Sequence, residues 1–122
     1  MSHIVTIEVE IRDSAAIHAA CDRLGLKTPV EGTHELFSDK VQGLGVQLPE
    51  WKYLVVCNTA EGVLKYDNFG GRWGEQRHLD AFVQSYTIEK AKLEARRKGY
   101  SCIEQSQEDG SVKLSINSGG AV

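Results

Sequence analysis

"KYLVVCNTAEGVLKYDNFGGRWG", residues Lys52 to Gly74, is the stretch on which the fold turns. Its first part, Lys52 to Asn58, is apolar on both alternating faces at its centre. A strand of that kind has cover on both sides, which predicts a place in the middle of a sheet. Thr59 to Gly62 supply a turn with Gly62 at the bend, and Val63 to Phe69 returns as the second strand of an antiparallel hairpin. Gly70, Gly71 and Gly74 then crowd around Arg72 and Trp73 where the chain must reverse. A long helix follows, starting near Gly74 or Glu75. Its apolar stripe runs through Leu79, Phe82, Val83 and Tyr86 and is extended by Leu93. Glu75 suits the positive end of the helix dipole, Arg96, Arg97 and Lys98 suit the negative end, and Gly99 is the stop.

Toward the N-terminus, Ile4 to Ile11 alternates Val5, Ile7, Val9 and Ile11 with Thr6, Glu8 and Glu10, which reads as a strand with one wet face. Asp13 or Ser14 caps a helix whose stripe is Ile17, Ala20, Cys21 and Leu24, and Gly25 ends it. Between Lys27 and Glu50 the signal is weaker: "THELF" reads as a short strand and "GLGVQL" as another. At the C-terminal end "YSCIEQ" and "SVKLSI" flank Asp109-Gly110, the signature of a two-residue type I′ hairpin. The order is therefore α+β: a mostly antiparallel sheet with two helices on one face, a ferredoxin-like variant. A single domain spans 1–117, with 118–122 as a flexible tail. The helices are expected to cover the face carrying Val5, Ile7, Val9, Val112, Leu114 and Ile116. In that core Ile17, Cys21 and Leu24 meet Leu79, Phe82, Val83 and Tyr86.

The chain has 122 residues, a net charge of −3 and a pI near 5.8. That length fits one core, and the acidic balance argues against a dedicated nucleic-acid binder. The longest apolar run, Tyr53 to Cys57, is too short to span a bilayer. The opening "MSHIVTIEVEI" lacks the basic and apolar regions of a leader, so a cytoplasmic setting is expected. Cys21, Cys57 and Cys102 are widely spaced with no CxxC, which points to small buried hydrophobes in place of a zinc or redox pair.

Several of these segments together resemble a known but uncharacterised family, domain of unknown function 1257, which includes chloroplast and cyanobacterial open-reading-frame proteins. The resemblance is carried by "MSHIVTIEVEIRD" with a helix ending "LGL", by "QLPEWKYLVVCN", "YDNFGGRWG" and "QSYTIEKAKLEARRKGYS", and by the closing "EDGSVKLSI". Ile4, in place of an aromatic residue, and Thr87, in place of alanine, depart from it. The resemblance implies no catalytic motif. Some relatives are encoded beside AAA-type ATPases and a ferredoxin-like protein, which implies an accessory role and a protein partner, such as an AAA-type ATPase system.

The candidate binding residues are Asp67, Asn68, Arg72, Trp73, Glu75 and His78. "GGRWG" opens a helix, where free N–H groups attract anions, but the glycine and lysine spacing of a phosphate loop is absent. The simpler reading is a connector whose glycines allow a sharp reversal while Trp73 packs over the core edge. An indole beside a guanidinium is also common at interaction hot spots. Glu75 and His78 share a helix face as half of a carboxylate–histidine metal motif, but the other half is missing, and His3, His18 and His34 are scattered. No metal or cofactor is expected. Two functions stay open. One is an adaptor binding a protein partner through the Asp67-to-His78 region or a sheet face. The other is a ligand-binding domain or enzyme with a polar pocket around Asp67, Arg72, Glu75 and His78.

Overall fold

The computed structural model describes residues 4–117. The tail expected at 118–122, together with 1–3, lies outside the described residues. Strand β1 (Val5–Glu8) leads through helix α1 (Ser14–Leu24) to a meander of β2 (Val30–Glu35), β3 (Lys40–Val46), β4 (Val55–Asn58) and β5 (Val63–Tyr66). A 3₁₀ turn at Phe69–Gly71 precedes helix α2 (Gln76–Arg97), and β6 (Ser101–Ser106) and β7 (Val112–Asn117) close the chain. The protein is α+β, with one five-stranded sheet in the order β1-β5-β4-β3-β2 and a separate two-stranded sheet, β6-β7. Each pairing is antiparallel. β4 lies in the middle, as its two apolar faces require.

Local chemistry sets the element ends. β1 stops short of the expected Ile11 because Glu10 takes a left-handed φ of 53° and turns the chain out of the ladder. Ile11 is nevertheless fully buried, and its N–H donates to the Gly62 carbonyl at 3.2 Å. Asp13 caps α1 by accepting from Ala15 and Ala16 N–H, and Gly25 ends it in the left-handed region at φ 69°. Burial would raise the Asp13 carboxyl, but the Ala16 N–H and Arg97 outweigh it and the net direction is down. The Tyr86 hydroxyl accepts the Asp13 N–H at 3.1 Å and so ties α2 to the start of α1.

One face of the large sheet meets both helices. Leu44, Cys57, Leu64 and Ile7 form a cross-strand row, and Ile17, Ala20, Cys21, Leu79, Phe82 and Tyr86 pack on that face. Val5, Val9, Leu24, Val83 and Leu93 pack at its margin. Burial first, and the neighbouring Cys21 second, push the Cys57 thiol up; burial and then Asp22 push Cys21 to about 11. Both thiols are inert hydrophobes, while Cys102 is half-buried.

The second face carries a smaller cluster: Leu36, Val41 and Val56 with Ile4 and Tyr53. The β2–β3 hairpin contributes Leu36 and Val41 to that cluster. Gly32 and Gly43 stand opposite each other with φ of 154° and 151°, values open to glycine and closed to other residues. A Cβ on Gly43 would lie 2.4 Å from the Cys57 carbonyl oxygen, so the space is taken as well. His34 lies against Gly45, with Nε2 at 2.7 Å from the Val30 carbonyl oxygen.

The C-terminal hairpin departs from expectation in two ways. β7 does not join the large sheet, so Val112, Leu114 and Ile116 do not lie beside Val5, Ile7 and Val9 under the helices. A β6–β7 pair satisfies its own ladder, and the large sheet has filled the helix-facing layer without it. The turn is also wider than two residues. Gly110 N–H donates to Gln107 O at 3.2 Å and Gln107 N–H to Ser111 O at 2.8 Å, with Gly110 at φ 88°. That is a three-residue loop, a type I turn followed by a left-handed glycine, and only the positive φ agrees with the sequence reading.

Candidate functional site

The connector between β5 and α2 is built on two buried polar residues. Asp67 is 1% exposed; its Oδ1 accepts the Phe69 N–H at 3.2 Å and its Oδ2 has no hydrogen-bond partner. Asn68, also buried, braces the loop across its width. Its Nδ2 donates to the Gly74 carbonyl at 3.1 Å, and its own carbonyl accepts from Gly71 at 3.0 Å and Trp73 at 2.9 Å. With both ends held to one residue, the chain between is forced into a tight excursion. Phe69, Gly70 and Gly71 all take left-handed φ values, of 47°, 62° and 100°.

Gly74 serves another purpose. A Cβ there would sit 2.3 Å from the Trp51 ring. Trp51 is buried, donates its Nε1–H to the Glu75 carbonyl at 3.1 Å, and meets Tyr66 edge-on at 5.7 Å. The indole buried at this core edge is therefore Trp51, a residue the sequence reading did not single out. The cause is steric: Trp51 arrives from the β3–β4 loop and takes the place that the missing side chain at Gly74 leaves.

Trp73 is only half-buried and stands at the centre of a ring cluster. Its centroid is 4.8 Å from Phe69, 5.1 Å from Phe37 and 5.5 Å from Tyr53. Phe37 comes from the β2–β3 turn and Tyr53 from the lead into β4, and Tyr53 joins the ring cluster to the apolar cluster of the second face. Two cations lie against it. Lys52 Nζ is 4.7 Å from the Trp73 centroid, and the Arg72 guanidinium carbon is 5.3 Å from that of Phe69. The Lys52 N–H donates to the Trp73 carbonyl at 2.8 Å, which holds this rim together.

A shallow recess of about 370 Å³ runs along the rim, lined by Glu50, Lys52, Gly71, Arg72, Trp73, Gly74 and Glu75. Arg72 and Glu75 thus share one surface, whereas Asp67, buried behind it, and His78 on the first turn of α2 do not line it. His78 is half-buried, with an Nε2 that lacks a partner. The exposed Glu75 carboxylate bonds Arg77 at 2.9 Å, and that bond holds its pKa below the ordinary value. Among the described residues no group of three or more His, Cys, Asp or Glu is placed to hold a metal ion, and no helix is long and apolar enough to cross a membrane.

Sequence reasoning singled out Arg72 and Trp73 but missed Phe37, Lys52, Tyr53 and Phe69. The available signal was faint: Phe37, Tyr53 and Phe69 each lie just beyond the end of a strand, where a ring is left outside the ladder. In comparisons with known proteins, no family model, no curated protein and no solved structure matches this chain.

Proposed function

We propose that this protein is a small non-catalytic adaptor that binds a protein partner through the ring cluster centred on Trp73. The observation behind this reading is a set of four half-buried or exposed rings, capped by Lys52 and Arg72, on the side of the sheet away from the helices. Aromatic residues and arginine, gathered in one place and not spent on the core, are the side chains that dominate protein interfaces. A place in the family of domain of unknown function 1257, a cytoplasmic setting and an AAA-type ATPase system as partner go with this reading as proposals. So does a ferredoxin-like kinship. It is supported by the crossover from β1 through α1 to β2, which run in the same direction in a sheet covered by helices on one face.

A photo-crosslinking residue at Arg72 tests the reading in native lysate, with the same residue at the exposed His18 on α1 as control. Crosslinks specific to position 72, lost when Trp73→Ala is added, are expected. Equal labelling from both positions would reject the surface. Arg72→Ala should leave stability within about 0.5 kcal/mol, as exposed substitutions do, yet weaken the same capture.

The second reading, a ligand-binding domain or enzyme around Asp67, Arg72, Glu75 and His78, draws on Asp67 Oδ2 and His78 Nε2, buried atoms that a bound polar group would satisfy. A metabolite that raises Tm in the wild type but not in Asp67→Asn, with crosslinking unchanged, would favour it.

A further inference from the structure

We propose that the Trp73 cluster recognises an acidic, apolar peptide segment, in which an Asp or Glu stands beside a Leu or an aromatic side chain. This rests on the adaptor reading and names the chemistry of its partner. The apolar half of the match is the exposed ring surface: Phe37 is 59% exposed, and the edges of Tyr53, Phe69 and Trp73 are only half covered. Apolar surface of this kind gains from being covered.

The acidic half follows from charge. Lys52 and Arg72 lie over ring faces, which removes water from one side of each cation and leaves its N–H groups directed elsewhere. Among the described residues neither is within ion-pair distance of a carboxylate, and their only side-chain partners are rings. Of the two carboxylates that line the same recess, Glu75 is ion-paired with Arg77, and Glu50 is within ion-pair distance of neither rim cation. The rim therefore presents two cations without an ion-pair partner beside half-covered rings. A partner's carboxylate meets an arginine fork or an ammonium already desolvated on one face, while its neighbouring apolar side chain covers Phe37 or Phe69.

A nucleic acid fits less well. Tracking a phosphate backbone takes a row of cations, whereas this rim has two free ones on a chain of net charge −3.

The test is to pan a random-peptide display library on the full chain, then measure the selected peptides by fluorescence anisotropy. Enriched peptides should place Asp or Glu next to Leu, Phe or Trp. Lys52→Glu and Arg72→Glu should each weaken binding by about tenfold or more, Lys52→Arg should restore it, and a dT oligonucleotide should not compete. Urea midpoints of the two charge reversals, both at exposed positions, check that the fold is intact. Enrichment of neutral or basic peptides that are still lost on Trp73→Ala would overturn the acidic chemistry and leave the adaptor surface standing. No enrichment, or binding indifferent to both Trp73→Ala and Arg72→Glu, would overturn both. Competition by the oligonucleotide would replace the peptide with a nucleic acid.

Discussion

The chain contains two hairpins that look alike as sequence and behave differently as structure. β4–β5 and β6–β7 both alternate, and both bend at a left-handed glycine, Gly62 at φ 73° and Gly110 at φ 88°. The first lies at the heart of the large sheet, with Val55, Val56, Cys57 and Leu64 fully buried. The second stands outside it, with Ile103 64% and Ile116 49% exposed. The cause is what surrounds each pair. β4–β5 has β3 on one side, β1 on the other, and helices across one face. Among the described residues, β6–β7 has only the flank of α2 and one cluster of charges, in which Arg23 of α1 and Lys92 of α2 hold Glu89 and Glu104. A hydrophobic pattern specifies a strand; burial depends on what is left to cover it.

The largest effect expected from this contrast is at the common core. Phe82→Ala, which removes a fully buried ring beneath β4–β5, should cost about 3–5 kcal/mol, and Leu64→Ala about 2–5 kcal/mol. Urea midpoints that do not move would show that β4–β5 is no more central than β6–β7.

Next comes Gly110→Val. A β-branched residue forced to positive φ should cost about 1–2 kcal/mol. In hydrogen exchange the loss should appear in the β6–β7 amides and spare those of β4–β5. Equal loss in both hairpins would mean that they unfold as one unit.

Acid separates them further. The bond from Arg23, opposed by burial and supported by Lys92, lowers the Glu104 carboxyl from the ordinary 4.5 to about 2. A folded value below the unfolded one means stability that is complete above about pH 4.5 and lost as pH falls through about 2. For a cluster this open to solvent the loss should be about 1 kcal/mol. It should show as faster exchange of the β6–β7 amides on acidification, and Glu104→Gln should flatten the dependence. The smallest effect belongs to Ile103→Ala on the outer face, within about 0.5 kcal/mol by thermal melting.

The α+β class, both helices, Gly25 as a cap, the cap of α1 as Asp13 or its neighbour Ser14, and the central place of β4 could be read in advance. Each rests on interactions between near neighbours in the chain or on a period that burial imposes directly. The exclusion of β7 could not, because it is decided by competition among strands for one helix-covered face. The site was half legible. Arg72 and Trp73 were conspicuous by composition, but the ring cluster assembles Phe37, Tyr53 and Phe69 from separate segments, which no local pattern announces. Trp51 went unnoticed for the same reason: nothing local says that the empty place at Gly74 is filled by Trp51 from across the chain.

The sheet order also sets the timing of assembly. β2 to β5 join one another through short connections, whereas β1 reaches β5 only after α1 and the whole meander lie between them, with Val5 opposite Tyr66. Local contacts form first, so β1 is the closing strand, and until it arrives β5 presents a bare backbone edge. A second molecule's β1 carries the same Val5 and Ile7 in the same register and fits that edge equally well. Refolding at high protein concentration should therefore divert part of the chain population into strand-exchanged dimers, a kinetic hazard that shortening the tether between β1 and α1 would aggravate.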